Sequence, residues 1–266
     1  MNLDVVFPKS TELKKYIKYF LFIKNDQINY NRKHVSYPNT NCCLGLLKGS
    51  KLITVSKNEY KITDSDGFYS YLTGIYEQPK TFHYIGKFDE ICIDFEPLGI
   101  EALTGIKVSN LKFIDEVVEN QFNSSWKEIY NFIYATDNIS LRAELLEDFF
   151  LKKISLNHRD KFIPFNEIFV NKISYLQNEF NLSYRSIHRL YKDNLGLSPK
   201  QFMNILRFRS IIQNNKHKNG HMLDLNYGYY DQSHLIREFK TFTNLTPRQF
   251  TQRVSSIESA VWMEIQ

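Results

Sequence analysis

Two stretches of the chain carry side chains that suit hydrogen bonding to base edges. The first contains Arg189, and the second contains Arg237, 48 positions later. Arginine can donate two hydrogen bonds to guanine, glutamine can pair in the same way with adenine, and isoleucine can contact the methyl group of thymine. The side chains expected to contact bases are Tyr184, Arg185, His188, Arg189, Gln232, Ser233, His234, Ile236 and Arg237.

A second set of side chains suits contact with phosphate. Lysine and arginine supply the charge, and the first turn of a capped helix offers N–H groups that no helical carbonyl uses. The residues expected to contact phosphate are Lys192, Ser198, Lys200, Lys240, Thr246 and Arg248.

A short capped helix must hold the second stretch. Asp231 is a suitable N-cap, because its carboxylate can accept from N–H groups of the first turn. Leu235, Phe239 and Phe242 recur at spacings of four and three, which predicts one buried face. Asn244 can take the left-handed conformation that ends a helix.

The same module occurs 48 positions earlier, without a gap. Ser183 stands in place of the aspartate cap, Gly196 in place of the asparagine, and Ser198-Pro199 corresponds to Thr246-Pro247. The repeat predicts two helix-turn-helix units, joined by a helix over 199–214, whose second helices can enter the DNA major groove.

From about Phe165 to Arg253 the chain resembles the DNA-binding domain of AraC/XylS-type transcriptional regulators. The matching residues are GYYDQSH at 228–234, IREFK at 236–240, LTP at 245–247 and LGLSPKQF at 195–202. The sequence departs from the family at Gln177 and near Asp224, where a small alanine is usual. The stretch Arg207–Gly228 is also a few residues short.

The resemblance implies a set of partners. Double-stranded DNA is the main one, and RNA polymerase is a further candidate. The amino-terminal half would respond to a small-molecule effector or a partner, and would form a weak homodimer. No cofactor is expected.

Charge is distributed unevenly along the chain. Residues 167–253 hold 13 Lys and Arg against 6 Asp and Glu, whereas residues 1–166 hold 21 of each. The helical region therefore carries the positive charge that contact with phosphate requires. A solvated basic surface would show the same charge, and the repeat favours DNA.

The amino-terminal half has the pattern of a small cupin-like β-barrel. Short β-prone runs alternate with turn residues such as Lys48-Gly49-Ser50 and Asp64–Gly67. Residues 12–23 fit either a strand or a helix followed by a strand. The segment Ile93–Gly105 resembles the uncharacterised amino-terminal domain of some regulators with this tail. The expected strands are 44–47, 51–55, 68–72, 81–85 and 90–95.

From about residue 114 the apolar period changes to that of helices. Trp126 to Ile133 and Leu141 to Lys152 predict two connector helices. The polar stretch Asn157–Lys161 is the expected linker. The sequence therefore predicts an α+β chain, with a β-rich regulatory or dimerisation domain and its connector at 1–155, and an all-α double helix-turn-helix domain at 162–253.

Other classes of protein fit the sequence less well. Two of the three cysteines, Cys42 and Cys43, are adjacent, which favours reduced thiols over a disulfide. The sequence contains neither Cys-x-x-Cys nor His-x-His, so it gives no indication of a metal site. The first twenty residues are rich in charge, so we expect a cytoplasmic protein without a membrane span. We expect no enzyme. Two rivals stay open, a cupin-type metal enzyme fused to a DNA-binding tail, and a protein-interaction module that binds DNA weakly.

Overall fold

A computed structural model describes residues 1–97, 99–104, 125–156, 168–214, 229–257 and 261–265. The strands are β1 Asn2–Val6, β2 Ile17–Asn25, β3 Asn31–Ser36, β4 Cys42–Ser56, β5 Glu59–Thr73, β6 Lys80–Ile85, β7 Phe88–Phe95, β8 Ser255–Ile257 and β9 Val261–Ile265. The helices are α1 Gly99–Thr104, α2 Ser125–Ile133, α3 Ile139–Leu156, α4 Ile168–Glu179, α5 Tyr184–Leu195, α6 Pro199–Asn214, α7 Gln232–Thr243 and α8 Pro247–Arg253.

The strands form one curled sheet in the order β1-β2-β7-β4-β5-β6-β3-β9-β8. All neighbours are antiparallel except β5 and β6, which are parallel. The edge strands β1 and β8 approach within 8 Å of one another, so the sheet curls into a barrel. The predicted fold class, a cupin-like barrel followed by an all-α region, is confirmed.

Two of the predicted turns are wrong, because both lie inside the two longest strands, β4 and β5. Lys48-Gly49-Ser50 lies inside β4, and Asp64–Gly67 lies inside β5. The pairing passes from Lys48 with Phe68 to Ser50 with Asp64, so both strands bulge at the same place. Gly49 has a φ of 67° and Gly67 a φ of 79°, which allows the bend without ending either strand.

Residues 12–23 contain a single turn of 3-10 helix, Leu13–Lys15, followed directly by β2. The longer helix considered from Glu12 to Tyr19 does not form. Tyr19 pairs with Asp94 of β7, and Leu21 pairs with Cys92. Both faces of β2 are buried, one against the connector helices and one toward the inside of the barrel.

Both predicted connector helices are present. Asn138 Oδ1 accepts from Leu141 N at 3.1 Å at the start of α3, so Asn138 is the N-cap of this helix. The buried face of α3 contains Leu146 and Phe150, whereas Leu141 is 43% exposed. The apolar period therefore predicts the helix but not the face that it buries.

The helical region packs on the barrel. Tyr37, just after β3, joins the apolar core of α5 to α8, and its ring lies 4.9 Å from that of Phe250. The Tyr37 hydroxyl donates to Glu264 Oε2 at 2.9 Å. Strand β9 follows the helices and pairs with β3, placing Glu264 beside Val35. The sequence pattern contained no signal that this last strand joins the barrel.

Some sequence expectations fall outside the described residues. These are the linker Asn157–Lys161, Asp224 and most of the short Arg207–Gly228 stretch. The boundary between 155 and 162 therefore stays a prediction. No helix in the described ranges is long and apolar enough to cross a membrane.

Candidate nucleic-acid interface

The first recognition helix, meaning the helix expected to enter the groove, is α5. Ser183 Oγ accepts from Ser186 N at 3.1 Å and fixes where the helix begins. Gly196, with a φ of 73°, ends it, and its N–H donates to the carbonyl of Lys192. Ile187 and Tyr191 are fully buried. The opposite face, which carries Tyr184, Arg185, His188 and Arg189, is exposed to solvent.

The second recognition helix, α7, has the same construction. Asp231 Oδ1 accepts from His234 N at 2.7 Å. Asn244, with a φ of 58°, ends the helix in the left-handed conformation. Leu235 and Phe239 are buried among the helices. The exposed face carries Ser233, Ile236 and Arg237.

The repeat extends to hydrogen bonds that the sequence reasoning had not specified. At the start of α6, Ser198 N donates to Gln201 Oε1 at 2.9 Å, and Gln201 N donates to Ser198 Oγ at 3.3 Å. At the start of α8, Thr246 N donates to Gln249 Oε1 at 2.9 Å, and Gln249 N donates to Thr246 Oγ1 at 3.2 Å. Both units therefore end in a reciprocal capping box.

Helix α6 joins the two units. It covers Pro199–Asn214, the range that the sequence predicts, and its 16 residues give a length of about 24 Å. Tyr191 of α5 contacts Phe202 of α6 at a ring distance of 5.6 Å, and Phe239 of α7 contacts Phe208 at 5.4 Å. Each recognition helix is thus held against a different part of one rigid element.

Comparison with known proteins agrees with this geometry. Residues 176–253 match the family described as "Helix-turn-helix domain". Over 77 residues the chain is 31% identical to the HTH-type transcriptional activator RhaS of Escherichia coli, in strain K12 / DH10B and in O157:H7 (strain EC4115 / EHEC) alike. Residues 176–253 are an AraC-type helix-turn-helix domain. The match spans 28% of this chain and 28% of each relative.

Two solved structures resemble the chain over a greater length. Wild-type ToxT from Vibrio cholerae strain SCE256, with an unsaturated fatty acid bound, is 13% identical, with a TM-score of 0.43, and the match covers 87% of this chain and 94% of that one. ToxT from Vibrio cholerae O395 is 15% identical, with a TM-score of 0.41, over 86% of this chain and 96% of that one.

In the AraC-type domain, two expected base contacts are less exposed than the others. Gln232 is half-buried, and so is His234, whose ring packs edge-on against Tyr229 at 5.3 Å. The other seven residues expected to contact bases are exposed on the outer faces of α5 and α7. All nine assignments stay predictions.

The carboxylates that could have paired with Arg237 are engaged elsewhere. Glu238 accepts from the Tyr229 hydroxyl at 2.5 Å and lies 3.5 Å from Arg207 of α6. Burial and the Glu238 hydrogen bond raise the pKa of Tyr229. Asp231 is the helix cap. Sequence reasoning missed this contact between α6 and α7, because the spacing of residues 207, 229 and 238 has no local pattern.

The residues expected to contact phosphate divide into two groups. Lys200, Lys240 and Arg248 are exposed, as is Lys192, whose ammonium group donates to the carbonyl of Gly196 at 2.9 Å. Ser198 and Thr246 are half-buried and hold the capping boxes. Because each hydroxyl already accepts a hydrogen bond within its capping box, the groups expected to donate to phosphate are the neighbouring N–H groups of the first helical turn.

Gln177 lies near the end of α4. Its side chain is half-buried, and its backbone carbonyl accepts from Leu182 N at 3.1 Å. The turn that leads to α5 therefore forms with glutamine at this position. Asp224, its counterpart in the second unit, lies outside the described residues.

A partly open cavity of about 100 Å³ lies in the barrel. Asp94 of β7 and Arg209 of α6 both line the cavity, and both are buried. Loss of hydration raises the pKa of Asp94 to about 7 and lowers the pKa of Arg209. Helix α6 thus contributes a cation to the inside of the barrel.

The three cysteines are free thiols, as expected. Burial raises the pKa of Cys42 to about 12, so this thiol stays protonated. Burial also lowers the pKa of His34 to about 4. Within the ranges that the structure covers, no three His, Cys, Asp or Glu side chains form a metal-binding group.

Proposed function

We propose that the chain is a sequence-specific, DNA-binding transcriptional regulator of the AraC/XylS type. The observation that carries the proposal is the pair of matched recognition helices, α5 and α7, fixed on α6 with their polar and basic faces exposed. With α6 about 24 Å long, the two helices are suited to successive major grooves, about 34 Å apart on one face of the duplex. A single chain would then contact two short, asymmetric boxes.

The regulatory half is proposed to be the barrel with its connector helices. The cavity, which includes Arg209 of α6 in its wall, gives a small-molecule effector a direct contact with the DNA-binding half. Cytoplasmic location, contact with RNA polymerase and a weak homodimer through residues 1–155 complete the proposal. Limited proteolysis that cuts first at Asn157–Lys161 would support the two-domain boundary, and a first cut inside Ile173–Phe202 would oppose it.

Selection of bound sequences from a random pool of duplex DNA tests the proposal. We expect a recurrent two-box motif, together with a steep fall in affinity as salt rises, because phosphate contacts release counterions. Lys240→Ala should lower the salt slope by about 1. Lys51→Ala, which removes an exposed lysine from the barrel, is the matched control and should leave the slope unchanged.

The half-buried Gln177 favours one alternative, a protein-interaction module that has kept the fold and lost tight DNA binding. That alternative predicts no enriched motif and a shallow salt slope for both the parent and the Lys240 variant. Since phosphate binding is independent of base sequence, the two readouts separate loss of specificity from loss of DNA binding altogether.

A further inference from the structure

Two adjacent tyrosines before the second recognition helix have opposite environments. Tyr229 is buried, whereas Tyr230 is 92% exposed. No other large apolar or aromatic side chain in the described ranges is as exposed as Tyr230. Burying an aromatic side chain is favourable, so this exposure leaves a large apolar surface in contact with water. The ring and the hydroxyl of Tyr230 are therefore both accessible to a partner.

The residues on either side of Tyr230 are anchored. The Tyr229 hydroxyl donates to Glu238 Oε1 at 2.5 Å, and the guanidinium group of Arg207 lies 5.0 Å from the centre of the Tyr229 ring. On the other side, Asp231 caps α7 by accepting from His234 N. The backbone at Tyr230 is thus held at both ends. An exposed side chain on a fixed backbone loses little conformational freedom when it binds a partner.

The first unit uses the matching position for packing. Leu182 stands 48 positions before Tyr230, is half-buried and packs against the apolar core of the helical region. The second unit places its side chain in solvent at the same point of the repeat. The fold therefore does not require the Tyr230 ring, although the matched unit shows that an apolar side chain can pack there. This difference indicates that Tyr230 serves an external contact.

The place of Tyr230 in the chain fits a contact with the DNA backbone. A recognition helix meets the base edges with its N-terminal turn. The chain that leads into that turn must cross the edge of the groove, where the phosphates lie. Tyr230 comes directly before the N-cap of α7, so it would lie at that edge. Tyrosine is among the side chains that donate hydrogen bonds to phosphate oxygens.

We propose that Tyr230 is a further DNA-contacting residue, whose hydroxyl donates to a phosphate oxygen at the edge of the second box while its ring packs on the adjoining deoxyribose. The inference rests on the proposed function and extends it to a residue outside both sets of expected contacts. A contact with the backbone positions α7 in its groove without reading a base. The first unit has Leu182 at this point, so the contact belongs to the second box alone.

Two substitutions in the full chain separate the hydroxyl from the ring. Tyr230→Phe removes the hydroxyl alone, and Tyr230→Ala removes the ring as well. On the duplex selected from the random pool, Tyr230→Phe should weaken binding about tenfold, and Tyr230→Ala should weaken it further. Base preference should stay unchanged in both boxes. The salt slope should also stay unchanged, because a neutral hydroxyl releases no counterion, whereas Lys240→Ala should lower it.

Duplexes with one methylphosphonate, in which a methyl group replaces a charged backbone oxygen, locate the phosphate. Each phosphate that flanks the second box is replaced in turn, and binding is measured for the parent and for Tyr230→Phe. At one position the loss of affinity should be about tenfold smaller for the variant, because its contact is already absent. A methylphosphonate beside the first box is the matched control and should weaken both proteins by the same factor.

Three results would overturn the proposal. They are a Tyr230→Phe variant that binds the selected duplex as the parent does, equal losses for both proteins at every phosphate, and an altered base preference in the variant. The thermal unfolding midpoint of Tyr230→Phe should equal that of the parent, and a lowered midpoint would assign the side chain to the fold instead. A parent that binds no duplex would refute the DNA-binding proposal and this one together. A parent that binds two boxes, with unaffected Tyr230 variants, would refute only the contact proposed for Tyr230.

Discussion

Replacing Asp94 by asparagine should change how the stability of the protein depends on pH. Burial raises the pKa of Asp94 from 3.8 to about 7. Between these two values the folded protein holds a proton that the unfolded chain releases. Stability therefore falls as pH rises, by about 1.4 kcal/mol for each pH unit, because the unfolded state binds fewer protons. The contribution is fully present below about pH 4 and is lost once the pH passes about 7.

The size of the effect follows from the shift in pKa. Between about pH 5 and pH 7 the parent should lose about 2 kcal/mol of unfolding free energy through Asp94 alone. The asparagine variant cannot ionise, so its curve should lack this component. Glu90, whose pKa burial also raises, is present in both proteins, and its repulsion of Asp94 is part of the difference between them.

Urea unfolding followed by circular dichroism, at several pH values between about 5 and 8, gives both curves. As pH rises, the unfolding free energy of the variant should increase relative to that of the parent. Asp66→Asn, an exposed carboxylate in β5, serves as the control and should run parallel to the parent. If the Asp94 variant also runs parallel to the parent, the carboxyl is not held protonated by burial.

Three other substitutions test contacts that organise the fold. Asn244→Ala should destabilise the protein by about 1 kcal/mol in urea unfolding, whereas Asn244→Gly should not, because alanine resists the positive φ. Arg142→Ala should cost about 3–5 kcal/mol, since it breaks the two bonds of 2.8 and 2.9 Å to Asp89, and the double variant with Asp89→Ala should cost less than the sum. Tyr37→Phe should cost about 1–3 kcal/mol by leaving Glu264 buried without its donor, and an unchanged midpoint would show that this contact contributes nothing.

The carboxy-terminal module was predictable because its signals are local. Ser183 and Asp231 cap the helices that the sequence assigns to them, and Gly196 and Asn244 end those helices with positive φ. A cap lies within three residues of the group that it satisfies, so spacing alone specifies it. The link from Pro199 to Asn214 follows from the same local evidence.

The contacts that join the two halves were not predictable in this way. Tyr37 contacts Glu264 across 227 positions, and Arg209 enters a cavity formed by strands far away in the chain. Such pairs depend on how the curled sheet closes. The spacing of apolar residues predicts individual strands and helices, but it does not predict which distant elements meet. The bulge at Gly49 and Gly67 was misjudged for a related reason. A glycine with positive φ ends a strand in one context and bends it in another.

The central claim is that one chain places two recognition helices in successive major grooves. Hydroxyl-radical footprinting on a selected duplex, with the parent, Arg189→Ala and Arg237→Ala, tests it most directly. We expect two protected boxes about ten base pairs apart. Each variant should lose about 1–3 kcal/mol and relax base preference in its own box only. A single protected box, or two variants that bind every sequence as the parent does, would contradict it.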